Sequence, residues 1–364
     1  MKITIEKSSF LEALLSVSSA VPARSALQIL SNAMFVAKDG TLTVSTTNLD
    51  LSIRRSIPAK VDEDGETTLP IKRLLGIVRE LGDGAIEISV DSNDCATLKS
   101  GPSFFKIVGI STADFPKFPE PQGAINFTIG AAVFREMLRK TAYAASEDES
   151  RHIITGILLA FRDAKLTVVA TDGRRLALVE QELEFPVEME TDIVLPAKAV
   201  AEITRLLKDD GDVTIIVESK MAVFKYGDST LATKLIEGAF PNFRQVIPQN
   251  FVERVEIKRE DMLSAMRRVS VISADDRTVP AKLTFKGDQL TISMENPDVG
   301  ESRETVAVKY GGRDLQLDFN PEYVMAPLRN IDTDAIYIEF ASERGPATIK
   351  CDLPFLYVLM PVRK

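Results

Sequence analysis

Apolar residues recur along this chain in two rhythms that alternate. MKITI at the start alternates as a strand, and Phe10, Leu11, Leu14, Leu15 and Val17 then mark one face of a helix over residues 8–20. Leu42 and Val44 alternate with Thr41, Thr43 and Ser45, the period of two of a half-buried strand, inside a run of strands over residues 32–57. A second round follows at once. It predicts a strand at Thr67 to Leu69, a helix over 71–81, and strands near 85–90, 95–99 and 103–109.

The whole pattern occurs three times. DGTLTVSTTNLD from Asp39, DAKLTVVATDGR from Asp163 and GDQLTISMENPD from Gly287 place Leu42, Leu166 and Leu290 at equal steps of 124 residues. Helical runs begin near Phe10, Phe134 and Asp261, and again at Leu69, Leu195 and Phe319. A period this long exceeds that of a solenoid, so each copy should be a domain with its own core. The expected fold is α+β: three repeated domains, each of two βαβββ units, with antiparallel sheets. Proline- and glycine-rich stretches at Pro116–Gly123 and Pro241–Asn250 read as linkers, giving domains 1–123, 124–250 and 251–364.

Composition narrows the class. The chain has 364 residues, 45% hydrophobic, and no apolar run near the roughly 18 residues of a membrane span. MKITIEKSSF lacks the apolar stretch of a secretory signal, and Cys95 and Cys351 stand in separate repeats, as in a reducing cytoplasm. With one histidine, His152, and no GxxxxGK[ST] loop, histidine-based nucleophiles and phosphate-loop chemistry are disfavoured, and two isolated cysteines make no zinc site. No catalytic residue, metal or cofactor is assigned.

Net charge is −9, but unevenly spread. The helical segments 71–81, 131–145 and 197–208 carry +2 each, segment 8–20 carries −1, and 260–270 and 321–331 are neutral, leaving +5 on helices and −14 elsewhere. Helices sharing one face would attract a polyphosphate backbone without reading bases. Twelve such helices, each about 10 Å wide, would line a circle with an opening on the order of 28 Å, wide enough for a duplex.

The residues also resemble a family. Arg24 with LQILSN at 27–32, ADFP at 113–116, VATDGRRLA at 169–177, AFPNFRQVIP at 239–248, FNPEYV at 319–324 and YVLMPVR at 357–363 are similar to the bacterial DNA polymerase III beta subunit, the processivity clamp, over essentially the full length. The resemblance implies a homodimeric head-to-tail ring around double-stranded DNA, helices inside and sheets outside, no catalysis, and a cytoplasmic, nucleoid-associated location. It also implies a pocket for short linear peptides of the polymerase III alpha subunit, the clamp loader, translesion polymerases, and mismatch-repair and ligase-type factors.

Carried over by motif, the pocket draws Ile154, Thr171, Gly173, Arg174, Arg175 and Leu176 from the second repeat and Pro241, Gln245 and Val246 from the following linker. The third repeat adds Asn320, Tyr323, Val358, Met360, Pro361, Val362 and Arg363. Arg174 stands where the family often has histidine, Gln245 where arginine is frequent and Gln28 where proline is; Ile153 replaces an aromatic residue of some members. An arginine at 174 should make the pocket rim more basic. For DNA the candidates are Arg24, Lys72, Arg73, Arg151, His152 and Lys198, with Arg135, Arg139, Lys140 and Arg205 setting the field. The resemblance further implies a dimer contact between the edge strands of the first and third domains, bringing Ile107 to the region of Val271 and Ile272. Two other readings stay open: a metal-dependent nuclease using Glu147, Asp148 and Glu149 or Asp275 and Asp276, and a peptide-binding scaffold without DNA.

Overall fold

The alternation of strand and helix rhythms is realised as six strand–helix–three-strand units. The structure, a computed structural model, describes residues 1–22, 24–121, 125–273, 279–342 and 345–362. The first repeat opens with strand Lys2–Glu6, helix α1 (Lys7–Ser18) and strands Asn32–Lys38, Thr41–Thr47 and Leu51–Pro58. It continues with Gly65–Pro70, α2 (Ile71–Glu80), Ala85–Val90, Cys95–Ser100 and Ser103–Val108. The second repeat runs through Ile125–Gly130, α3 (Ala131–Thr141), Gly156–Arg162, Lys165–Thr171 and Arg175–Glu182, then Thr191–Pro196, α4 (Ala197–Leu206), Asp212–Val217, Met221–Tyr226 and Ser229–Lys234. The third has Glu253–Lys258, α5 (Arg259–Val269), Ala281–Lys286, Gln289–Asn296 and Gly300–Lys309, then Leu315–Phe319, α6 (Pro321–Asn330), Ala335–Phe340, Ala347–Lys350 and Phe355–Leu359. One further strand, Lys60–Glu63, pairs along Lys2–Glu6.

Within a repeat the two units exchange their first strands. Lys2–Glu6 pairs with Ala85–Val90 of the second unit, and Gly65–Pro70 pairs with Asn32–Lys38 of the first. The same exchange joins Ile125–Gly130 to Asp212–Val217, and Thr191–Pro196 to Gly156–Arg162. Neither member of a pair completes its sheet without the other's first strand.

Helix faces follow the spacing of the sequence. α2 buries Ile71, Leu74 and Val78, three and seven residues on, while Lys72, Arg73 and Arg79 stay exposed. Aromatic pairs seal the layers: Phe10 of α1 meets Phe35 edge-on at 6.3 Å, Phe134 of α3 stacks on Phe224 at 6.1 Å, and Phe285 packs on Phe340 at 5.7 Å. Each such pair contributes roughly 0.5–1.5 kcal/mol beyond its area.

The chain divides into two compact units, residues 1–135 with 201–235, and residues 136–200 with 236–364. The division passes through the second repeat because its two sheets are continued by strands of different repeats. In the first unit Leu51–Pro58 pairs with Ser229–Lys234, with Ser52 opposite Ala232; in the second Arg175–Glu182 pairs with Phe355–Leu359, with Leu176 opposite Val358. Among the described residues no helix is long and apolar enough to cross a membrane.

Candidate functional site

The turn between Lys165–Thr171 and Arg175–Glu182 is built by its own polar side chains. The Asp172 carboxylate accepts the backbone N–H groups of Arg174 at 2.8 Å and Arg175 at 3.0 Å, and Thr171 Oγ1 accepts that of Gly173 at 3.0 Å while donating to the Arg175 carbonyl at 2.6 Å. Gly173 sits at φ +82°, where glycine carries no steric penalty. Arg151 donates to the Asp172 carbonyl at 2.6 Å, and its guanidinium covers Gly173 so closely that a Cβ there would lie 2.5 Å from Nη2.

An apolar floor lies beside this turn. Leu176 and Val358, 2% and 3% exposed, pack with Leu158, Val169, Leu178 and Phe243. Ile153, Ile236, Phe240 and Ile247 close against them, none of which was expected at this site, and Ile154 is buried. Phe243 reaches the floor because a 3₁₀ turn, Phe243–Val246, folds the linker inward, leaving Pro241, Gln245 and Val246 exposed. The Met360 N–H donates to the Arg174 carbonyl at 3.0 Å and the Val362 N–H to that of Asp318 at 2.7 Å, so the tail runs from the turn towards the start of α6. Met360 and Val362 are exposed and Pro361 is half-buried; Arg363 lies outside the described residues.

On the other side is a polar recess of about 1010 Å³, lined among others by Tyr143, Arg174, Arg175, Asn320, Tyr323 and Met325. Arg175 is locked there: Nε donates to Asp172 at 3.0 Å, Nη2 to the Tyr143 carbonyl at 2.8 Å, and the guanidinium lies 4.5 Å over the Tyr323 ring. The Asn320 side chain caps α6, accepting from the N–H groups of Glu322 and Tyr323. Tyr357 donates to the Tyr323 carbonyl at 2.9 Å. Burial pushes the Tyr143 and Tyr357 phenols above their ordinary range, with the Arg175 charge opposing the shift in both. The Tyr143 hydroxyl is buried with no hydrogen-bond partner among the described residues.

The first repeat carries the same turn with a different lining. Asn48 accepts the N–H groups of Asp50 and Leu51, Thr47 accepts that of Leu49, and the Lys234 N–H donates to the Asp50 carbonyl at 2.8 Å. Where the second repeat has Leu176 and Val358, here stand Ser52 and Ala232, and the Ser52 hydroxyl is bonded to Thr47 at 2.7 Å. Asp50 is ion-paired with Lys234 at 2.9 Å.

The expected basic residues divide by whether their charge is already used. Arg24, Lys72, Arg73, His152 and Lys198 are exposed, with no ion pair among the described residues. Arg135 pairs with Asp209, Arg139 with Glu136 and Asp332, Lys140 with Glu136, and Arg205 with Glu202. Arg151 is committed to the turn. Strand Ser103–Val108 is a sheet edge. Its Ile107 side chain is buried at 7% exposure inside its own repeat, whereas Phe104 at 61% and Val108 at 73% stand outside. Val271 is exposed and Ile272 half-buried.

Among the described residues no group of three His, Cys, Asp or Glu side chains is placed to hold a metal ion; Asp275 and Asp276 lie outside them. Asp148 is occupied with Ser150. Paired βαβββ units, fused between repeats by shared antiparallel sheets, define a clamp-type scaffold. The DNA polymerase III beta subunit family matches the chain as its N-terminal domain over residues 1–119, central domain over 128–242 and C-terminal domain over 244–363. The beta sliding clamp of Synechococcus elongatus is 31% identical, covering 100% of this chain and 99% of the relative, and that of Salmonella typhimurium 30%, covering 100% of both. A DnaN sliding clamp from Bartonella birtlesii superposes with a TM-score of 0.95 at 34% identity, covering 100% of both chains. The chain belongs to the DNA polymerase III beta subunit family, the beta sliding clamps, which are non-catalytic processivity factors of DNA replication.

Proposed function

We propose that two copies of this chain close head to tail into a ring around duplex DNA in the bacterial cytoplasm, and that the groove at Leu176 and Val358 tethers the replicative polymerase. The clamp loader, translesion polymerases, and mismatch-repair and ligase-type factors dock there through short linear peptides. Domains 1–123, 124–250 and 251–364 each supply two helices to the DNA-facing side. The observation that carries the docking is the apolar floor set beside a polar wall, a combination suited to an extended peptide with hydrophobic anchors. Unpaired Arg24, Lys72, Arg73, His152 and Lys198 supply a shallow, sequence-blind attraction, and topology supplies retention. The ring closes along Ser103–Val108, which offers Phe104, Val108 and the strand's open backbone edge, with Ile107 contributing main chain only, against the Val271–Ile272 region of the second copy.

The test is retention on DNA. The protein is loaded onto nicked circular DNA with its clamp loader and ATP, the complex is isolated, and the circle is then cut. Loss of protein only after cutting, with the circular complex surviving moderate salt, is the expected result. Salt-labile binding indifferent to cutting would remove the ring and leave a peptide scaffold.

A further inference from the structure

The two junctions between repeats pair their strands alike but are held shut by different forces. Among the helices of the described residues, α1 alone carries no basic residue in its last turn, where Arg79, Arg139, Arg205, Arg268 and Arg329 stand in the others. Its end is met from the second repeat instead. The Ala20 N–H turns to the Val17 carbonyl at 3.3 Å, and the Ser16 carbonyl takes Arg205 Nη2 of α4 at 2.8 Å; the same nitrogen reaches Ser19 Oγ at 2.8 Å. Ser19 Oγ donates in turn to Glu202 at 2.6 Å, and Glu202 pairs with Arg205 at 2.8 Å, which closes the circuit. Two further charges cross the same junction. Glu12 of α1 lies between Arg55 at 3.1 Å and Lys208 at 3.2 Å, and Asp50 pairs with Lys234 at 2.9 Å. Leu15, in the last turn of α1, stays 37% exposed, so the helix end is not held by apolar cover. The strand pair beneath is different: Ile53 lies opposite Leu231, both buried, a joint that charge does not hold.

The second unit is built otherwise. One repeat step of 124 residues after Glu12 stands Glu136, whose carboxylate is spent within α3, on Arg139 at 2.7 Å and Lys140 at 3.6 Å. A single ion pair, Arg139 with Asp332 at 2.6 Å, leads from α3 towards the third repeat, while Leu176, Val358 and Phe243 pack together across the strand pair. Salt screens exposed ion pairs and does not weaken apolar burial. We propose that the α1–α4 contact is a salt-operated latch. Screening frees the end of α1 from the second repeat, with the pairing of Leu51–Pro58 to Ser229–Lys234 acting as the hinge, and leaves the junction of the second and third repeats shut. The latch belongs to the single chain, and stands or falls apart from the ring.

The experiment reads amide hydrogen exchange of the full-length chain by mass spectrometry at about 0.1 M and about 1 M NaCl, between which the screening length falls from ~10 Å to ~3 Å. Peptides over the end of α1 and over α4 should exchange about fivefold faster at the higher salt, the range of an exposed charged contact. Those over Leu51–Pro58, Ser229–Lys234 and α6 should change by less than about twofold. Arg205→Ala should exchange fast at the end of α1 at both salts and so lose the salt response, and Arg205→Lys should retain part of it. No salt response at α1 and α4 in the unaltered protein would overturn the latch, because charge would not be what holds the junction. A response shared by the strand pair would overturn the hinge, and one of equal size in α6 would mean a general softening rather than a latch. The salt comparison on the unaltered protein decides the matter even where Arg205→Ala fails to fold.

Discussion

Replacing Gly173 with alanine separates two costs that the structure superimposes. The first is conformational. At φ +82° an L-residue is disfavoured by roughly 1–2 kcal/mol, yet Leu49 holds the equivalent place in the first repeat at φ +78°, so the turn itself tolerates a side chain. The second is steric and local to this copy: the new Cβ would lie 2.5 Å from Arg151 Nη2 and 3.0 Å from Nη1. The guanidinium must swing away and release the Asp172 carbonyl, forfeiting an exposed charge-assisted hydrogen bond of about 1 kcal/mol. Gly173→Ala should therefore destabilise the turn by about 2–3 kcal/mol. Peptide affinity should fall about tenfold, the part of that cost relieved by moving the groove's edge. Arg151→Ala should cost about 1 kcal/mol, and the double variant less than the sum of the two, because the clash disappears with the guanidinium. Gly287→Ala, also at positive φ but facing open space, should lower stability without touching peptide binding. Chemical denaturation and peptide titration on all four variants give the cycle. Additivity within about 0.5 kcal/mol would refute the argument that Arg151 is what demands glycine at 173.

Three further outcomes follow from the same structure. Replacing the unpaired Lys72, Arg73 and Lys198 with alanine should flatten the salt dependence of binding to short duplex DNA by about 0.9 per lost phosphate contact, and the paired Arg139 and Arg205 should matter less; equal effects would discard the distinction. Val108→Glu should shift the species seen in sedimentation to monomer mass, whereas an unchanged dimer would move the interface off strand Ser103–Val108. Arg139 hydrogen-bonds the Glu136 carboxylate and, against the opposing effect of burial, lowers its pKa below 4.5. A carboxylate depressed on folding stabilises above its unfolded pKa and loses that contribution as pH falls through the folded value. The melting temperature should thus drop more steeply between about pH 5 and pH 3 in the unaltered protein than in Glu136→Gln, and parallel curves would contradict this.

Element order was legible because the repeat confirmed each element three times; the helix expected over 71–81 is α2, Ile71–Glu80. The strand Lys60–Glu63 was not, since KVDE shows no apolar alternation and is held only by its neighbour's backbone. Tyr143 was hidden in a run expected to stay helical to 145. α3 ends at Thr141, whose hydroxyl turns back to the Met137 carbonyl, and a 3₁₀ turn at Ala142–Ala144 sets Tyr143 under Arg175. Ile107 entered through the family resemblance, and what the resemblance does not convey is that the Ile107 side chain is buried while Phe104 and Val108 of the same strand stand outside. The partners that consume Arg135 and Arg139, Asp209 and Asp332, lie far along the chain, and no local pattern connects them.

The hydrogen-bonded Ser52 and Thr47 have a consequence for traffic. Repetition leaves two junctions of like geometry among the described residues, and on the docking proposed above the polar lining of one would remove it from competition, leaving one seat per chain. A closed pair would then seat two clients however many kinds are present. Access becomes a matter of relative abundance and residence time, and a client that holds both seats excludes all others until it leaves.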